Sequence, residues 1–197
     1  EMDALISLDE RLFLLLNGLH CTPADYVMTL CSAPLTWLPL YLFLAFLAYR
    51  DGGLRRLIWY LLCAGLVVLL ADRISVLCFK DIFQRLRPCH NPAFAGLVHL
   101  PNGHCGGAYG FVSSHAANMF GIAVLSIFFM RRRWLTWLLL VWALLVGYSR
   151  IYMGVHYPGD VLCGAILGSG LGITVLVLVR LLHRYLQPKK RLLERIP

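Results

Sequence analysis

Two histidines, one aspartate, three cationic side chains and two adjacent serines carry most of the chemistry in this 197-residue chain. They lie in three short polar clusters within an otherwise apolar sequence. The first runs from Lys80 to Arg87 and Pro88, the second is Ser113-Ser114-His115, and the third is Ser149-Arg150 followed by His156 and Asp160. One imidazole can attack phosphorus while a second protonates the oxygen that leaves. His156 suits the first role. Asp160 would hold one of its ring nitrogens, fix the tautomer and stabilise the cation that forms. His115 suits the second role. Ser113, Ser114 and the N–H groups of the helix start beside them would take phosphate oxygens. Lys80, Arg87 and Arg150 would neutralise the phosphate, the arginines by two-pronged contacts and the lysine as a point charge. Three fixed cations would supply the charge that a divalent ion otherwise brings, so neither metal nor cofactor is expected. Arg85, between Lys80 and Arg87, reads equally well as a headgroup-seeking side chain.

Only a membrane chain is expected to carry these clusters on such a background. The sequence is 59% hydrophobic and 14% charged, with a mean hydropathy of +0.71. A soluble domain of this length needs more charge on its surface. The formal charge of +8 could suggest nucleic acid, but the basic residues are split among loops, helix ends and the tail. Positive loops on one membrane face explain them, and no nucleic-acid partner is expected. The first residues are acidic and carry no basic leader, so no cleavable signal peptide is expected.

The apolar runs predict an all-α, polytopic bundle. Spans are expected at 35–49, extended backward through Met28 and Leu30, and at 54–79, 114–130, 134–150 and 160–183, since a bilayer leaves helices as the natural way to pair backbone groups. Residues 1–34 predict an amphipathic segment at the membrane surface, because Asp9, Glu10 and Arg11 interrupt its apolar residues. A sixth span there is the alternative. Residues 35–187 would form the bundle, and 188–197 a basic tail. Arg50, Arg55 and Arg56, then Arg131 to Arg133, then the tail fall on one side in the five-span reading, which is expected to be cytoplasmic. All three polar clusters fall on the other side. Asp72 and Arg73, inside the second span, read as an ion pair within the bundle.

The clusters resemble the type 2 phosphatidic acid phosphatase (PAP2) superfamily, whose pattern is K-x6-R-P, then P-S-G-H, then S-R-x5-H-x3-D. Lys80, Arg87 and Pro88 match the first part, and Ser149, Arg150, His156 and Asp160 the third. In the second part Val112-Ser113-Ser114-His115 keeps the Ser and the His but replaces the Pro and the Gly. The likeness covers Lys80 to Asp160 by motif and about Arg55 to Tyr185 by helix layout; it does not reach the residues before Leu35. It implies a metal-independent lipid phosphatase in which His156 forms a phosphohistidine that water hydrolyses. A site at the outer surface of a bacterial inner membrane favours undecaprenyl diphosphate, followed by lipid A, phosphatidylglycerol phosphate and phosphatidic acid. A non-catalytic lipid-binding or transport protein would need the cations but not His156 with Asp160.

Cys89 and Cys105 bracket the one long external loop. In an oxidising compartment they would pair, closing a loop worth about 3 kcal/mol in the chain-entropy account. Two free thiols, or a zinc site with His90 and His104, are the alternatives.

Overall fold

The computed structural model describes residues 2–186, and the basic tail lies outside the described residues. Helices α1 (Met2–Gly18) and α2 (Thr22–Ser32) precede a long α3 (Leu38–Ile74). A π-helical turn (Ser75–Lys80) and a three-residue α4 (Asp81–Phe83) follow, then a loop with two 3₁₀ turns. The bundle closes with α5 (Ser114–Met130), α6 (Arg133–Tyr152) and α7 (Pro158–Leu186). Among the described residues there is no strand, only an isolated bridge between Leu86 and Tyr109.

The apolar stretch Pro34–Phe83 is 50 residues long, about twice what one bilayer crossing needs. It breaks at Gly52 and Gly53, where Gly53 takes φ 67°, a conformation that needs no Cβ. Contacts show that the chain turns back there. Arg132 meets Asp51 at 2.6 Å beside the break. The first arm approaches it from Trp37, which packs on Trp142, and the second leaves it through Tyr60, whose hydroxyl lies 2.8 Å from Ser126 Oγ, and ends at Lys80 beside Ser114. With α5, α6 and α7 the chain makes five traverses among the described residues. Apolar side chains such as Leu42, Leu62, Leu69, Val141, Leu162 and Ile166 remain exposed on their outer faces, as lipid contact requires.

Two expectations are corrected. The first span does not continue backward through Met28 and Leu30. Pro34 keeps Ala33 extended (φ −81°, ψ 123°), so α2 is a separate helix. Asp72 does not pair with Arg73; its Oδ1 accepts from Asn118 Nδ2 at 3.0 Å. Neighbours on a helix point about 100° apart, whereas Asn118 faces Asp72 from α5.

The core lies among α3, α5, α6 and α7 around Leu47, Val67, Leu125, Leu139 and Trp142. The α5–α7 approach is closest. Gly164, Gly168 and Gly172 recur every fourth residue on α7. A Cβ on Gly164 would meet Ser113 O at 2.5 Å, one on Gly172 would meet Gly121 O at 2.7 Å, and one on Gly168 would overlap the Ala117 carbonyl. Small residues on one stripe let two apolar helices touch along their backbones.

The N-terminal segment docks on this bundle by one face. Phe13 is fully buried against Phe94 and Tyr157. Asn17, also buried, donates to Tyr152 O at 2.8 Å and accepts from His99 N at 2.8 Å. Leu5, Leu8 and Leu15 stay exposed on the outer side of α1.

Candidate active site

Four segments meet at one end of the bundle because each has a local reason to stop there. Ser113 caps α5, its Oγ accepting from Ala116 N at 3.4 Å. Pro158 opens α7, with Asp160 in the first turn, where a carboxylate faces free backbone N–H groups. Ser113 N donates to Asp160 O at 3.0 Å, so the glycine stripe of α7 brings the second and third clusters into register. The loop before α5 is tied down by Arg87 N to Ala108 O (2.9 Å) and Gly110 N to Arg85 O (2.9 Å). Gly110 sits in a tight space: a Cβ there would lie 3.1 Å from Asp160 Oδ2 and 3.2 Å from Arg87 Cγ.

The result is a cavity of about 390 Å³ lined by Lys80, Arg87, Ser114, His115, Arg150 and His156. Six of the eight residues expected to act thus face one space. Asp160 stands behind His156, fully buried, with its Oδ2 3.4 Å from His156 Nδ1 and 3.0 Å from Tyr157 N. A carboxylate accepting from Nδ1 leaves Nε2 with its lone pair free. Burial pushes the His156 imidazole down to about 4, against the opposing hydrogen bond and charge of Asp160 and with help from Arg87 and Arg150. The ring is therefore neutral at pH 7, the form a nucleophile needs. Ser113 is the exception among the eight. It is fully buried and its hydroxyl serves the helix cap, while Ser114 turns to the cavity and accepts from Lys80 Nζ at 2.8 Å.

Backbone carbonyls and serine hydroxyls, rather than carboxylates, hold the cations of the cavity. Arg87 donates from Nε to Tyr109 O at 3.3 Å and from Nη1 to Cys105 O at 3.4 Å. Arg150 Nη1 donates to Ser32 Oγ, and its buried Nε has no hydrogen-bond partner among the described residues. Cys89 and Cys105 are joined in a disulfide with Cα atoms 6.0 Å apart, which places the Cys105 carbonyl against Arg87. Bonded sulfurs offer no thiolates to zinc.

Several contributors escaped the sequence reading. Arg85 is not a snorkelling side chain. Its Nη1 donates to Asp160 Oδ1 at 3.1 Å, its Nη2 lies 2.8 Å from Asp9 Oδ2, and its guanidinium stacks 3.9 Å over the Tyr157 ring. Asp9 Oδ1 also accepts from Gly159 N at 2.7 Å. Helix α1 thus reaches the carboxylate behind His156. Ser32 and Thr29 of α2 and Asn102 and His104 of the loop complete the cavity wall. No local pattern marks these residues, because each joins the site through a contact distant in sequence.

A neutral imidazole backed by a buried carboxylate, a second imidazole and three cations around one cavity can accept, hold and cleave a phosphate ester. The sequence matches the description of the PAP2 superfamily over residues 53–184. It is 36% identical over 170 residues to a lipid A 4'-phosphatase of Bacteroides thetaiotaomicron, covering 85% of this chain and 75% of that protein. It is 32% identical over 105 residues to the undecaprenyl-diphosphatase BcrC of Bacillus subtilis, covering 53% of each. The crystal structure of a transmembrane PAP2-type phosphatidylglycerolphosphate phosphatase from Bacillus subtilis superposes with a TM-score of 0.67 at 25% identity, over 90% of this chain and 87% of that one.

Proposed function

This chain belongs to the PAP2 superfamily and is a bacterial membrane lipid phosphatase, and we propose that it removes a phosphate monoester from a lipid A-type glycolipid. The supporting observation is the likeness to a lipid A 4'-phosphatase, whose 36% identity exceeds the 32% and 28% to two undecaprenyl-diphosphatases. Undecaprenyl diphosphate, placed first on orientation alone, becomes the second reading and rests on the less similar matches.

In this reading His156 Nε2 attacks phosphorus, forming a P–N bond as the P–O bond to the lipid breaks. His115, protonated once the phosphate's negative charge offsets Lys80, Arg87 and Arg150, gives its proton to the departing oxygen. Lys80, Arg87 and Arg150, with Ser114, hold the non-bridging oxygens and stabilise the charge spread over them. Asp160 keeps the Nδ1 proton in place and stabilises the imidazolium character of the phosphohistidine. Water then attacks phosphorus, His115 takes its proton, and the P–N bond breaks to release inorganic phosphate. The cavity opens on the face expected to be periplasmic, with the arginine-rich end of the bundle towards the cytoplasm of a bacterium's inner membrane.

The test is phosphate release by the purified protein in detergent with EDTA. Substrates are lipid A, undecaprenyl diphosphate, phosphatidylglycerol phosphate and phosphatidic acid, and His156→Ala is the control. Fastest release from lipid A, lost in the variant, is expected. Faster turnover of undecaprenyl diphosphate would overturn the substrate reading, and turnover that survives His156→Ala would overturn the mechanism.

A further inference from the structure

The bundle holds a second cavity at the end opposite His156. Its volume is about 620 Å³. Arg56 and Trp59 of α3, Phe129 of α5, Arg131 at its C-terminal cap, and Leu176 and Arg180 of α7 are among the residues that line it. The 17 residues of α5 run from one cavity to the other, a rise of about 25 Å. The two cavities therefore face opposite leaflets.

Positive residues at helix ends are common where a loop faces the cytoplasm, and each alone needs no ligand. These converge on one place. Arg56, from α3, donates through Nη2 to Phe129 O at 3.0 Å and lies 5.2 Å over the Phe129 ring. Arg180, from α7, donates through Nη2 to Phe128 O at 2.8 Å. Arg131 closes α5 in the left-handed conformation, φ 53°. Two arginines are thus fixed on the last turn of α5 beside a third. Each of those bonds uses one of the five N–H donors of a guanidinium. Among the described residues, no carboxylate lines the cavity. The route of Arg56 depends on the chain break in α3: a Cβ on Gly52 would lie 2.7 Å from Arg56 Cδ and 2.9 Å from its Cβ. The turn that makes the first two traverses also sets a cation into this wall.

Below the cations the wall is apolar, with Trp59 and Leu176, and Ile173, one turn further into the bundle on the same face of α7, is exposed. Cations at headgroup level above an apolar wall match a phosphate attached to an acyl chain. A headgroup carrying its own ammonium would be repelled by the arginines. We propose that this cavity binds an anionic phospholipid of the leaflet opposite the phosphatase site, with its phosphate on Arg56, Arg131 and Arg180 and an acyl chain along Trp59 and Leu176. The inference rests on the five-traverse fold and is independent of the lipid hydrolysed at His156.

Phosphatidylglycerol is a suitable probe, because its phosphodiester is not the monoester proposed for the His156 site. The protein would be reconstituted in nanodiscs with equal parts phosphatidylglycerol and phosphatidylcholine, extracted, and analysed by native mass spectrometry. Retention of phosphatidylglycerol over phosphatidylcholine by about tenfold is expected. The double variant Arg131→Gln, Arg180→Gln should bring that ratio near one and leave hydrolysis of a water-soluble phosphate monoester unchanged. Equal retention of both lipids by the native protein, or an undiminished ratio in the double variant, overturns the proposal. Displacement of phosphatidylglycerol by inorganic phosphate supports a headgroup contact; binding of inorganic phosphate without any lipid preference overturns the lipid as ligand. If the double variant does not fold, a photoreactive phosphatidylglycerol on the native protein decides. Adducts at Trp59, Phe129, Arg131, Leu176 or Arg180 support the site, and adducts confined elsewhere overturn it.

Discussion

His156 and Asp160 show how burial and a carboxylate divide the work at one residue. Burial alone favours the neutral ring, and Asp160 limits how far the imidazole is pushed while fixing which nitrogen is bare. The ring is held near 4, below its ordinary 6.5, so it is neutral above that pH and protonated below it. Activity on the acid side should therefore fall as pH drops through about 4 rather than through 6.5. Asp160→Asn removes an influence that raises the imidazole, so its acid limb should lie lower still. Its kcat should drop by up to about 10⁴-fold, as for a triad carboxylate replaced by its amide. A pH–rate profile of both proteins checks each statement; an acid limb near 6.5 in the native protein would contradict the assigned ionisation. Ser113 and Ser114 teach a related lesson: two adjacent serines at a helix start face different ways, so one caps and the other meets Lys80.

At the scale of elements, the helix outside the recognised motifs braces the site. Asp9 of α1 ties the Gly159 N–H and Arg85 together, and Arg85 carries that restraint to Asp160. Asp9→Asn and Arg85→Met should lower kcat by about 10- to 100-fold through misplacement of His156 while changing KM little. Arg85→Lys should restore part of the rate. A loss confined to KM would instead place Arg85 on the substrate. The α5–α7 stripe is the second such device. Gly168→Val puts a branched side chain into the Ala117 carbonyl and should destabilise the bundle by about 3 kcal/mol. The drop in melting temperature in detergent measures it, and an unchanged melt would mean that the helices separate without cost.

For the molecule as a whole, the five traverses put one cavity at each end, with the His156 cavity under a loop stapled by Cys89 and Cys105. Leu97, 64% exposed in that loop, and Arg131, exposed at the other end, report opposite sides. In whole cells whose outer membrane has been made permeable, a thiol reagent that cannot cross the inner membrane should label Leu97→Cys and spare Arg131→Cys. The reverse pattern would invert the orientation and remove the argument for a periplasmic substrate.

The sequence by itself determined what local pattern can encode. Apolar runs bounded by prolines, glycines and caps set the last three helices, whose observed limits lie close to those expected. The spacing of Lys80, Arg87, His115, Arg150, His156 and Asp160 pointed to phosphate chemistry, and the fold brings the six to one end of the bundle. Only the tertiary structure decided what depends on distant contacts. Pro34 separated α2 from the first span, which placed Ser32 beside Arg150. The docking of α1 brought Asp9 to Arg85, the glycine stripe brought Ser113 to Asp160, and Asn118 took Asp72 in place of Arg73. Polar partners in a bundle are chosen by which helix faces meet, and that follows from packing the whole chain rather than from the residues adjacent in sequence.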